Sequence, residues 1–131
     1  MDKLEHIFAL QREFQSKLKR ERGLGSVPME EWLQKQTLAV ISELAELLDE
    51  VNFKWWKNPH ELDREAIHEE LSDILHFFIS MCIEADMTAD DLYRVYRGKN
   101  RENIMRQEGK SQKPGYAAPE ERKERAIPPM P

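Results

Sequence analysis

Apolar residues recur along the chain at three- and four-residue intervals, the period of one face of an α-helix. Leu4, Ile7, Phe8, Phe14 and Leu18 form such a stripe over residues 2–22, and Gly23 and Gly25 follow it as a stop signal. A second stripe, Val40, Leu44, Leu47, Leu48 and Val51, predicts a helix that opens near Pro28 and continues to about Trp56. Glu30 and Glu31 suit the positive end of its dipole. Asn58-Pro59 breaks the pattern. Asn58 is the expected cap of a third helix, which carries Ile67, Leu71, Ile74 and Phe78 and runs to about Ala85. Thr88 with Asp91 predicts the start of a fourth helix, bearing Leu92, Val95 and Tyr96 and reaching Gln107. After Gly109 the character changes. Pro114, Gly115, Pro119, Pro128, Pro129 and Pro131 exclude regular structure, so residues 110–131 are expected to form a Pro-rich arm or disordered tail behind a domain of residues 1–109. Extended alternation of apolar and polar residues is absent. The expected class is therefore all-α, an antiparallel four-helix bundle with short loops. The apolar faces of helices two and three are wide enough to serve an intersubunit core, which predicts a homo-oligomer, dimer or tetramer.

Composition narrows this little. With 131 residues, 40% hydrophobic and 34% charged, the chain suits one domain with a modest core. The lone Cys82 cannot form an intrachain disulfide and reads as a small core residue in a reducing compartment. No basic-then-apolar leader opens the chain. Its longest apolar run, ILHFFISMCIEA, is too short to span a bilayer and carries His76 and Glu84. A cytoplasmic protein with no membrane partner is expected.

Charge changes the picture more. The net charge of −5 hides a segregation. Residues 30–91 hold 16 acidic and 4 basic residues, whereas residues 94–113 hold 7 basic and 2 acidic. An acidic middle followed by a basic segment argues against a nucleic-acid partner. It suits a site that holds cations and, beside them, a polyanion.

The acidic residues are placed, not scattered. Glu43, Glu46 and Glu50 fall within roughly 60° of one another on a helical wheel and border the apolar stripe of helix two. Glu70 and Asp73 border the stripe of helix three. The pairs read ExxE and ExxD. If both stripes face one core, four or five carboxylates converge at its margin. Such carboxylates repel unless a hard divalent cation sits among them. No paired histidine or cysteine set favours zinc. The cluster is built for Mg²⁺, or Mn²⁺, and magnesium's habit of binding carboxylates together with substrate phosphates anticipates a phosphorylated ligand. His76 is an edge histidine with the reach of a ligand or base. On helix four, Lys99, Asn103 and Arg106 share one face, and point charge, amide and fork together suit phosphate. On helix one, Gln11 and Gln15 lie on or beside the inward stripe, where a buried amide needs a partner such as a nucleobase edge. Of Trp55 and Trp56, one is expected in the core and the other at a base or sugar.

These residues resemble the all-α nucleoside triphosphate pyrophosphatases, which include the MazG-like enzymes and the dimeric dUTPases. The ExxE and ExxD pairs and EELSDIL at residues 69–75 carry the superfamily resemblance. FKWWK, SDILHFFIS and KNRENIMRQ followed by Gly115-Tyr116 are similar to the dimeric dUTPase branch. The resemblance covers residues 4–116. It implies Mg²⁺ ligands at Glu43, Glu46, Glu70 and Asp73, with Glu46 also activating the attacking water. It implies phosphate-holding roles for Lys99, Asn103, Arg106 and Tyr116, and a base and sugar pocket at Gln11, Gln15 and Trp56. The implied reaction takes dUTP and water to dUMP and pyrophosphate and clears the nucleotide pool of an unwanted precursor. Where that branch shows a leucine-asparagine pair in helix one, this chain has Phe14-Gln15. A broader or dCTP-preferring deoxynucleoside triphosphate pyrophosphatase is the alternative within the chemistry. A non-catalytic helical interaction module is the alternative outside it.

Overall fold

The computed structural model describes residues 1–116, and the last fifteen positions of the expected arm lie outside the described residues. Four helices, α1 (Lys3–Arg22), α2 (Met29–Glu50), α3 (Arg64–Glu84) and α4 (Ala89–Gln107), account for the secondary structure, with no strand among the described residues. This is the expected all-α class. The chain divides into two units, Met1–Asp90 and Asp91 onward.

α1 begins and ends on local chemistry. The Asp2 carboxylate accepts from the Glu5 N–H and the Glu5 side chain accepts from the Asp2 N–H, a reciprocal capping box. Gly23, at φ 64°, turns left-handed and sends its N–H back to the Lys19 carbonyl. The inward face differs from the predicted stripe. Phe8, Gln11 and Gln15 are the buried residues of α1, whereas Ile7 and Phe14 are exposed. Spacings of four, three, four and three link Leu4, Phe8, Gln11, Gln15 and Leu18 into one face. Two amides therefore occupy the middle of the helix's buried side.

α2 stops at Glu50, six residues short of the expected Trp56. Asn52 takes a left-handed φ of 58°, and the Phe53 N–H returns to the Leu48 carbonyl, which closes the last turn. α3 starts later than Asn58 for a related reason. Asp63, not Asn58, caps it, accepting from the Ala66 N–H at 3.1 Å. Residues 51–63 thus form a loop. Trp55 and Trp56 lie on it, edge to face at 4.6 Å and both exposed, so neither is the core tryptophan expected. That place belongs to Trp32, 3% exposed.

The loop is latched by His60. The Asn52 side chain donates to the His60 carbonyl and accepts from its N–H, and the imidazole reaches the Asp49 carbonyl through Nε2 at 2.9 Å and the Glu61 carbonyl through Nδ1 at 2.8 Å. Only an imidazolium donates from both nitrogens. The His60 pKa is accordingly raised above 6.5, chiefly by the Glu61 carbonyl, then by that of Asp49, with the Glu50 charge adding and burial opposing. A raised folded pKa stabilises below the unfolded value, and the contribution disappears as pH rises through the folded pKa. The expected result is a His60 resonance titrating above 6.5, with tryptophan fluorescence changing over the same range. A pKa at or below 6.5 would show that the imidazole does not hold the loop.

Within Met1–Asp90 the pairs Trp32–Ser80 and Glu43–Glu70 show α2 and α3 antiparallel, while Gln11–His76 and Gln15–Glu84 show α1 parallel to α3. Phe8, Trp32, Ile79, Cys82 and Ala89 are the buried apolar residues among those described. Much of the apolar surface is uncovered: Leu10, Phe14, Leu38, Ile41, Leu44, Leu48, Leu71, Leu75 and Phe78 are exposed. The expected stripe of α2 is only half covered, by partial burial of Val40 and Leu47. No helix among the described residues is long and apolar enough to cross a membrane.

In the second unit, the Arg106 guanidinium is already engaged. It pairs with Glu102 at 3.1 Å, donates to the Asn103 amide oxygen at 3.4 Å and lies 5.3 Å from the centre of the Tyr116 ring. The Ser111 hydroxyl donates to Glu102 at 2.6 Å. That bond lowers the Glu102 pKa, burial opposes it, and Arg106 and Lys99 add to it.

Candidate active site

The antiparallel course of α2 and α3 brings the two acidic motifs side by side. Carboxylate oxygens of Glu43, Glu46 and Glu70 all lie within 4.8 Å of one another. Glu43 and Glu70 are half-buried and Glu46 is exposed. The Oε2 atoms of Glu43 and Glu70 are buried, and no donor among the described residues reaches either. Crowding of this kind favours the neutral acid. The Glu70 pKa is raised from 4.5 to about 7, first by a proton shared with Glu43, then by burial, then by Glu46. An all-oxygen donor set with buried lone pairs and no counter-charge fits a hard divalent cation.

Asp73 is exposed and stands outside that three-carboxylate group. It joins Glu43 on a cavity of about 400 Å³, whose wall also includes Gln11, Gln15, Trp32, His76 and Ser80. Glu43 is thus common to the carboxylate cluster and the cavity. One chamber runs from the acidic motifs to the two buried amides of α1. Trp56 does not line it. Its loop frames a separate cavity of about 350 Å³ with Asp49, Asn52, Lys54 and His60. Lys99, Asn103, Arg106 and Tyr116 belong to the second unit, where the first two are exposed and Arg106 is half-buried.

Four residues at or beside the chamber have no functional role expected from the sequence. Trp32 closes the chamber and donates through Nε1 to the Ser80 hydroxyl at 3.2 Å. Lys19 lies 4.7 Å over the Trp32 ring and pairs with Glu84. Glu84 receives the Gln15 amide N–H at 2.5 Å. The one signal for this group was the acid that interrupts the apolar run ILHFFISMCIEA. A charge closing a buried face needs a partner across it. His76 meets the Gln11 amide oxygen through Nδ1 at 2.8 Å, which makes it a neighbour of the amides, not of the carboxylate group.

A family model of dUTPases matches residues 3–90, about two thirds of the chain and all but the first two residues of the first unit. No curated protein and no solved structure gave a significant match. With acidic motifs on facing helices of an all-α fold and a match across the unit that holds them, the chain belongs to the dUTPase family.

Proposed function

We propose that the protein is a Mg²⁺-dependent nucleoside triphosphate pyrophosphatase that hydrolyses dUTP to dUMP and pyrophosphate. The observation that carries this reading is the carboxylate trio within 4.8 Å, joined through Glu43 to an amide-lined chamber. Glu43, Glu46, Glu70 and Asp73 would hold Mg²⁺, with Mn²⁺ as substitute, and the bound cation supplies neutralisation of phosphate charge and acidification of water. Water adds to the α-phosphorus, the bond to the bridging oxygen breaks, and pyrophosphate departs with the electron pair. Glu46, the exposed member of the trio, takes the proton of the water. Lys99, Asn103 and Arg106, with Tyr116, hold the triphosphate in the assembled enzyme. Arg106 exchanges its Glu102 partner for phosphate oxygens. Gln11 and Gln15 face the base, and Trp56 serves the sugar pocket only once a neighbouring subunit completes it. The exposed apolar faces of α1, α2 and α3 support a homo-oligomer, because patches of that extent are seldom left to solvent.

Pyrophosphate release from a panel of deoxynucleoside and nucleoside triphosphates tests the reading, with Mg²⁺ and with chelator, on protein whose mass is set by sedimentation. The expected result is chelator-sensitive release, strongest for dUTP, from a species larger than one chain. Release strongest for dCTP would keep the mechanism and change the substrate. No release from any nucleotide would favour a docking module.

A further inference from the structure

Both amides of α1 are held from α3, and for Gln15 the hold fixes which end faces the chamber. Gln15 Nε2 donates to Glu84 Oε1, and Lys19 Nζ pairs with the same oxygen. A carboxylate beside an ammonium is ionised and only accepts. The end of Gln15 that faces Glu84 is therefore the NH₂, and its Oε1 is turned away. That oxygen is buried with no partner among the described residues, in a side chain 4% exposed that lines the chamber. A buried acceptor without a donor is rare in a finished structure. Gln11 has the opposite polarity. Its Oε1 lies 2.8 Å from His76 Nδ1, and with the Nδ1–H tautomer it accepts there and leaves its NH₂ as a donor. The chamber thus offers one acceptor, from Gln15, and one donor, from Gln11.

We infer that Glu84 is a positioning residue for base selectivity: through its carboxylate it keeps the Gln15 oxygen available as an acceptor, and so selects a pyrimidine edge that presents a donor beside an acceptor. The inference rests on the pyrophosphatase reading above. Uracil meets the code with N3–H and a flanking carbonyl, cytosine with its 4-amino group and N3. If Gln15 were turned round, the chamber would offer two donors. Uracil would then leave its N3–H facing a donor, whereas cytosine would meet both donors with N3 and O2. A site that hydrogen-bonds the base discriminates strongly against an edge that leaves its groups unpaired.

The experiment exchanges the ion pair. In the double variant Lys19→Glu with Glu84→Lys the bridge survives with its polarity reversed, so position 84 donates and Gln15 must turn. The measured quantity is the ratio of kcat/KM for dUTP to that for dCTP, with thermal melting to establish folding. The expected result is a fall of at least about tenfold in that ratio, from a bidentate match lost on uracil and kept on cytosine, which shifts from its 4-amino and N3 edge to N3 and O2. Glu84→Gln, which keeps an oxygen acceptor, should hold the wild-type ratio within about threefold. A folded exchange variant with the wild-type ratio overturns the inference and leaves the pyrophosphatase reading standing. Wild-type protein that turns over neither nucleotide sinks both. Should the exchange variant not fold, Glu84→Leu compared in wild-type and Gln15→Leu backgrounds decides. If Glu84 acts through Gln15, its removal no longer changes the ratio once Gln15 is gone. A ratio that still moves in the Gln15→Leu background overturns the inference.

Discussion

Glu46→Gln is expected to lower turnover of the preferred triphosphate by about 10³-fold, within the range a positioned general base contributes, while the free protein melts no lower than wild type. The two halves of this prediction come from one geometry. Glu46 is the exposed member of a trio whose oxygens lie within 4.8 Å of one another. Three carboxylates at that spacing repel, so neutralising one removes an unfavourable term from the folded state. The isosteric amide leaves the helix unchanged, because glutamine is as good a helix former as glutamate. Catalysis is another matter: an amide neither takes a proton from water nor binds a hard cation as a carboxylate does. Steady-state turnover with saturating Mg²⁺, alongside a melting curve in chelator, separates the two. Wild-type turnover in a folded variant would remove Glu46 from the chemistry. A loss of folding would make it a structural residue.

What the sequence could and could not disclose follows from the range of each interaction. Helices α1 and α4 came out within a residue or two of expectation because their ends are written in adjacent residues, Asp2 with Glu5 and Gly23 at one, Thr88 at the other. The far end of α2 was misjudged because Phe53, Trp55 and Trp56 continue an apolar rhythm that the backbone abandons. Asn52 at φ 58° ends the helix, and asparagine is a weak advertisement for a left-handed turn beside glycine. Asn58-Pro59 competed with Asp63 for the start of α3, and the backbone just past the proline is bonded to Asn52 through His60, with the cap falling to Asp63. The acidic motifs were legible because helical periodicity alone aligns Glu43 with Glu46 and Glu70 with Asp73. The meeting of Glu43, Glu46 and Glu70 needed only that consecutive helices run antiparallel, and Asp73 stays outside that group. The set Trp32, Ser80, Lys19 and Glu84 was not legible, since its bonds join residues 48 and 65 positions apart. Gln11 and Gln15 stood between. Their spacing marked them as inward, but their polarity toward a base depends on His76 and Glu84, which only the packing of α1 on α3 brings to them.

Mg²⁺ binding is expected to weaken about tenfold for each pH unit below 7, as one proton competes for the site, and to become independent of pH above that. Glu70 is the reason. Its carboxyl holds a proton up to about pH 7 through Glu43, burial and Glu46, and a carboxylate must be free of its proton to serve as a ligand. The same shift has a second consequence, of opposite sense, for the metal-free protein. A carboxyl whose folded pKa lies above its unfolded value binds more protons when folded, so its contribution to stability is complete below pH 4.5 and lost as pH rises to about 7. The free protein should therefore melt lower at pH 8 than at pH 6, and saturating Mg²⁺ should reverse that order, because binding to the native state alone raises the midpoint and binding is stronger at the higher pH. Glu70→Gln carries no proton to lose. In this variant the metal-free midpoint at pH 8 should exceed the wild type's, and Mg²⁺ should no longer raise it. Calorimetric titration of Mg²⁺ at pH 6, 7 and 8 measures the affinities, and repetition in buffers of different ionisation enthalpy counts the protons released. An affinity flat across that range, with no proton released at pH 6, would mean that Glu70 is not a ligand, and the acidic cluster would then have to bind its cation through Glu43, Glu46 and Asp73 alone.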